Sequence, residues 1–215
     1  EVTARLNEII DVDARAGAER TDRTRFLAAK ASVRLAEPLR KRFEVTKLKQ
    51  PLAESMKLKR SLMEDVLKAY GDAAAYGIAE VTTAATYRLG EIYRQMGADL
   101  MASERPEGLT PLELEEYELE IEDQAYPFEE KAIEVHESNL ELISRGVYNE
   151  WIDKSLQKLA ESVPVRYDKT EEASDVVSSL ESYIFALARP EANALVYMSD
   201  SMVADEPDPS GAIGV

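Results

Sequence analysis

The chain of 215 residues has no cysteine, a single histidine and a single tryptophan. It has no apolar run approaching the roughly 18 residues that a membrane-spanning helix needs, so direct membrane insertion is not expected. Without cysteine, disulfides, thiolate metal sites and cysteine nucleophiles are excluded; the compartment stays open, because a reducing cytosol and a cysteine-poor periplasm look alike. A lone His136 removes multi-histidine metal sites. Phosphate-binding and dinucleotide glycine patterns, calcium loops and the nucleophile elbow of serine hydrolases are missing as well. No signal-peptide pattern opens the chain, and its start on Glu1 rather than Met leads to the expectation of a fragment or processed product.

What is present is a globular composition, 45% hydrophobic, with enough length for one or two domains and a sizeable core. The net charge of −16 opposes nucleic acid as a partner, since phosphate binding needs clustered Lys and Arg. That charge is uneven: residues 1–70 carry sixteen basic against eleven acidic side chains, residues 71–215 ten against thirty-one. Such bipolarity would steer a basic partner to the acidic half or favour head-to-tail contacts between copies; solvated helix faces give the same count with no partner.

Helical periodicity runs almost throughout, and no segment shows sustained period-2 alternation, so an all-α fold is expected. Helices are predicted over Val2–Ala14 and Asp22–Leu48, the latter ended by "KQP" before Pro51. Leu52, Met56, Met63, Val66 and Tyr70 mark the next, with Gly71 as its stop and Asp72 as the following N-cap. A helix rich in Ala and Gly then extends to about Ser103; Gly90 and Gly97 inside it imply close packing, because glycine costs about 1 kcal/mol relative to alanine there. Thr110, Pro111 and Glu113 form a start signal for a helix whose apolar stripe (Leu114, Tyr117, Ile121, Ala125, Phe128, Ala132, Val135, Asn139, Leu142) keeps phase through Pro127. One long kinked helix ending near Gly146 is expected, with a break at Ala125–Pro127 as the alternative. A helix from Trp151 to Val163, one capped by Thr170, a short one from Arg189 and a loose acidic tail from Ala204 complete the reading.

The run from Glu115 to Glu137 packs ten carboxylates around His136. A helical carboxylate-bridged metal site requires Glu-x-x-His, and the positions three and four before His136 are Ile133 and Ala132, so the spacing fails. A glycosidase-like acid pair drawn from Glu115, Glu118 and Glu122 is opposed by acid all round the outer side, the pattern of a solvated face. His136 is expected at the surface or in helix packing, no cofactor and no metal are expected, and catalysis is not expected.

Tyr87, Tyr93, Tyr117, Tyr126, Phe128 and Trp151 sit at helical spacing beside Leu and Ala. They are the candidate partner-binding residues, with core packing as the competing role. "LGEIY" from Leu89, with Ala102 nine residues beyond Tyr93, matches part of a tetratricopeptide repeat (TPR). Pro106 then stands where an aromatic belongs, and the helices exceed the unit of about 34 residues. "KLAESVP", Lys158 to Pro164, is a second partial echo.

The runs "AKASVRLAEPLRKRFEVTKL", "YGIAEVTTAATYRLGEIYRQM", "PEGLTPLELEEYELEIEDQAYPFEEKAIEVHE" and "GVYNEWIDKSLQKLAESVPVRYDK" carry a further likeness. Over Ala29 to Lys169 the chain resembles the C-terminal region of large TPR proteins of Gram-negative bacteria, which occur alongside TonB, Exb or Tol-type envelope machinery or gliding-motility components. The resemblance implies a periplasmic or envelope scaffold that holds other proteins, envelope energy-transducing or motility components among them, with no catalytic residues to carry over. The fold expected is therefore a TPR-like superhelix of stacked antiparallel helical hairpins. Residues 1–20 would be an N-terminal helix and connector, 21–188 the helical-repeat domain, and 189–215 a short helix and acidic tail. A capping or homodimerisation domain, and hence a homo-oligomer, is the rival reading.

Overall fold

The computed structural model describes residues 1–169; the expected helices from Thr170 and Arg189 and the acidic tail lie outside them. Within this range the chain is all-helical, with no strand. The elements are α1 (Val2–Arg15), α2 (Asp22–Val45), α3 (Leu52–Ala74), α4 (Ala79–Met101), α5 (Pro111–Leu140), α6 (Glu150–Ser162) and the short α7 (Pro164–Tyr167); single turns of 3-10 helix follow α1 and α5.

Local signals explain most of these limits. Thr21 and Thr24 exchange side-chain and backbone hydrogen bonds at 3.2 and 3.1 Å to start α2. Thr110 and Glu113 do the same for α5: the Thr110 N–H donates to Glu113 Oε2 at 2.8 Å and the Glu113 N–H to Thr110 Oγ1 at 3.4 Å. α5 continues through Pro127 as one helix, so the two-helix alternative is not realised. Asn149 caps α6 by accepting from the N–H groups of Trp151 and Ile152. One expected boundary is displaced: Gly71 and Asp72 lie inside α3, and the chain turns instead at Gly77, whose φ of +68° is in the left-handed region. Gly71 is helical and has no atom near its missing side chain, so nothing there forces a stop.

Successive helices pack against one another, and alternate ones also touch, α2 with α4 and α4 with α6. α2, α4 and α6 thus form one layer, and α3 and α5 each pack against α4. The main core lies between them around Phe43, Met63, Val66, Tyr70, Ile92, Met96 and Leu100. α4 is the common element, and both of its buried glycines serve contact. A methyl group at Gly90 would lie 2.6 to 2.9 Å from three ring atoms of His136, and one at Gly97 would meet Ala125 O and Phe128.

The ends of α2, α3 and α4 meet at a buried cation. Lys59 is fully buried, Asp99 is 4% exposed, and the two are ion-paired. The Lys59 ammonium also donates to Phe43 O at 3.1 Å, which accepts the Thr46 N–H as well, and to Thr46 O at 2.5 Å, and it lies 4.5 Å from the Phe43 ring centroid; Lys47 reaches the other oxygen of Asp99 at 3.3 Å. A lysine in this position needs that full set of acceptors, since burying an ammonium without them costs several kcal/mol.

Two measurements test this packing. Gly71→Ala is expected to stabilise the protein by about 0.5–1 kcal/mol through helix propensity, and Gly90→Ala to destabilise it by about 1–3 kcal/mol, because the His136 ring must move. Equal shifts of one sign in urea denaturation would refute the contact. Lys59→Met keeps the aliphatic stem but leaves buried Asp99 with Lys47 alone and Thr46 O without its ammonium donor, and is expected to cost about 3–5 kcal/mol. A loss below about 1 kcal/mol would show that the ion pair does not hold the three helix ends.

Candidate functional site

The α2–α4–α6 layer carries a groove of about 770 Å³. Its apolar wall is Val2 and Leu6 from α1, Val33 and Pro38 from α2, Ala84 from α4 and Trp151 from α6. Its polar rim is Arg34, Glu37 and Lys41 from α2 and Arg88 from α4. Trp151 is half-buried, with the Arg88 guanidinium 5.3 Å and the Lys154 ammonium 4.0 Å from its ring centroid. Glu37 is already engaged: it accepts from Arg40 at 2.8 Å and from the Tyr70 hydroxyl at 2.9 Å, with Arg88 4.0 Å away. Burial pushes its carboxyl up, but those hydrogen bonds outweigh burial and hold it below its ordinary value. Arg34 and Lys41 have no ion-pair partner among the described residues, so the groove presents positive charge.

Behind Trp151 lies a buried polar cluster. The Tyr87 ring is 5.6 Å from those of both Trp151 and His136. The Asn139 amide donates to Ser155 Oγ at 2.9 Å and Thr83 O at 3.2 Å, and the Asn149 amide donates to Thr83 Oγ1 at 2.9 Å. Because Ser155 Oγ accepts from Asn139, its proton is free to go to His136 Nδ1, 3.2 Å away. The other ring nitrogen, Nε2, is buried without a hydrogen bond and faces Glu91 Oε1 at 3.6 Å. Arg94 holds Glu91 in a two-pronged pair at 2.9 and 3.0 Å. Burial works to raise the Glu91 carboxyl, yet His136 and Arg94 outweigh it and bring it down to about 2.

Ser155, His136 and Glu91 thus stand in the order of a hydrolytic triad, but their surroundings oppose that chemistry. Ser155 has no exposed surface and His136 is 3% exposed, so no substrate carbonyl reaches the hydroxyl. The cluster instead ties α5 and α6 to α4. His136 accordingly sits in helix packing, one of the two positions its sequence context allowed.

The six aromatic candidates are not gathered in one place. Trp151 lines the groove, and Tyr87 is buried behind it at 9% exposure. Tyr93 and Phe128 pack against the main core, which is the competing role considered for them. Tyr117 sits half-buried at the far end of α4, near Gln50 and Arg105, and Tyr126 is 58% exposed on the outer side of α5. Sequence reasoning missed the groove cations Arg34, Lys41 and Arg88, which nothing in one sequence separates from ordinary surface charge. It also missed Lys59, for which a signal existed: the α3 stripe Met56–Met63–Val66 has a gap that position 59 fills. The carboxylates Glu115, Glu116, Glu118, Glu120, Glu122 and Asp123 are all exposed, and no group of three or more metal-ligating side chains converges among the described residues. None of the described helices is long and apolar enough to cross a membrane.

No family model matches the chain, and comparison with curated proteins and with solved structures finds no match.

The Glu91 pairing predicts acid sensitivity. Its carboxyl titrates near 4.5 when unfolded and at about 2 when folded, so its contribution is complete above pH 4.5 and is lost as pH falls toward 2. Relative to Glu91→Gln, wild type is expected to lose on the order of 2 kcal/mol over that window, after allowance for solvent near Arg94. Parallel stability–pH curves for the two proteins would refute the pairing.

Proposed function

We propose that this chain is a non-catalytic protein-interaction scaffold, built as TPR-like stacked helical hairpins, whose binding surface is the groove across α2, α4 and α6. The observation that carries this reading is the groove itself: α2, α4 and α6 frame an apolar floor where Arg88 stacks on a half-buried tryptophan and Arg34 and Lys41 have no ion-pair partner among the described residues. Large aromatic and Arg side chains together are the usual energetic anchors of protein interfaces. The guiding charge at this surface is positive, because the groove is walled mainly by the basic N-terminal half. An acidic segment therefore suits it better than the basic partner suggested by net charge alone.

The resemblance to TPR proteins found beside TonB, Exb, Tol-type or gliding machinery supports an envelope or periplasmic setting, with energy-transducing or motility components as partners. Among the described residues Ser155 and His136 are sealed from solvent and no group of three or more metal-ligating side chains converges, which favours binding over catalysis.

A random peptide library selected on the protein tests the groove directly. Selected peptides are expected to shift the emission of Trp151, the only tryptophan, and to bind Arg34→Ala/Arg88→Ala at least about tenfold more weakly. The melting temperature of that variant should stay close to wild type. Unchanged affinity in the variant would place peptide binding elsewhere.

A further inference from the structure

The outer side of α5 repeats every seven residues. Leu112, Leu119 and Tyr126 are 65%, 58% and 58% exposed. Between them, and after Tyr126, come exposed carboxylate pairs: Glu115 with Glu116, Glu122 with Asp123, and Glu129 with Glu130. Offsets of three and four residues from each apolar position put both kinds of side chain on one face. Among the described residues only Glu130 of these six is engaged, accepting from the Tyr126 hydroxyl at 2.9 Å. An exposed apolar ladder at this spacing has the form of a helix seam that lacks its partner.

α2 carries the complement. Lys30, Arg34 and Lys41 share its outward side with Leu27, Pro38 and Val45; the carboxylate on that side, Glu37, is already held by Arg40 and Tyr70, and Lys30 pairs with Glu80 at 3.1 Å, while Leu27 is 46% and Val45 74% exposed. Arg34, Pro38 and Lys41 belong at once to this row and to the groove wall.

We propose that the groove receives the outer face of α5 from a second copy of this chain. Leu119 and Tyr126 would fill the apolar floor beside Trp151, and Glu122 and Asp123 would meet Arg34, Lys41 and Arg88. This rests on the groove being an interaction surface. Donor and acceptor faces lie on different helices, so a single contact leaves one face of each copy free, and further copies add head to tail into rings or filaments. With a net charge of −16 the chains repel in general, and the contact depends on local complementarity that salt screens within about 3 Å at 1 M.

Sedimentation velocity of the full chain at roughly 50 µM tests this, in about 0.1 M and about 1 M salt. Species larger than a dimer are expected at the lower salt and monomer at the higher. Leu119→Ser/Glu122→Gln disables the donor face and Arg34→Gln/Lys41→Gln the acceptor; all four positions are exposed, and circular dichroism checks that each variant is folded. Each variant alone should be monomeric, whereas a 1:1 mixture should form a discrete dimer through its one intact pair of faces. A wild type that is monomeric at both salts, one that stops at a symmetric dimer, or a mixture that stays monomeric would each overturn the proposal. If wild type fails to associate while selected peptides still bind the groove, the second copy is the wrong occupant and the groove reading stands; if peptides also fail, both fall.

Discussion

A lysine ammonium with no solvent exposure persists in a helical core only where acceptors surround it, and Lys59 sets that condition for this molecule. Its charge is met by Asp99 from α4 and by the Phe43 and Thr46 carbonyls at the end of α2. Three helix ends must therefore arrive together. Once they do, the apolar faces between them are in register, and Phe43, Met63, Ile92 and Met96 close the core. The opposite end of α4 is fixed by a second polar joint, in which the Asn139 and Asn149 amides donate to Thr83 and Ser155 across α4, α5 and α6, while Asn139 Oδ1 is buried without a partner. Between the two joints Gly90 leaves room for the His136 ring to lie against the α4 backbone.

These joints have a functional consequence, because the groove is a property of the layer and not of any one helix. Its floor and rim come from residues as far apart as Val2 and Trp151, and their alignment depends on α4 holding both neighbours. The same division separates the polar groups by role. His136 and Ser155, the residues most suggestive of chemistry, are sealed inside where they set helix positions. Arg34 and Lys41, ordinary in sequence, stand at the open face. Charge follows this division too: positive at the groove, negative along the outer side of α5.

Much of the fold was legible from periodicity and caps. The capping box at Thr110, the continuity of α5 through Pro127 and the close packing at Gly90 and Gly97 all follow from short-range rules. The misplaced stop at Gly71 shows the limit of such rules: glycine and aspartate in adjacent positions look like an ending, yet Gly71 stays helical and the glycine that takes the positive φ is Gly77. The site was far less legible. Trp151 could be named, whereas the partners that give it a setting lie on α1, α2 and α4, and pairing between distant helices leaves no mark in a single sequence. The order Ser155–His136–Glu91 was equally invisible, since its members are brought together only by the packing of α4, α5 and α6. Lys59 is intermediate: its place in an apolar stripe was readable, its partner Asp99 was not.

The central claim is that α4 is the spine that holds α2 and α6 in one layer and thereby forms the groove. Native-state hydrogen exchange along α4 measures this most directly. The account predicts that amides from Thr83 to Leu100 exchange with one free energy and one denaturant dependence, equal to those of global unfolding. Exchange of the N-terminal half of α4 together with α5 and α6, through a separate opening of lower free energy, would contradict it.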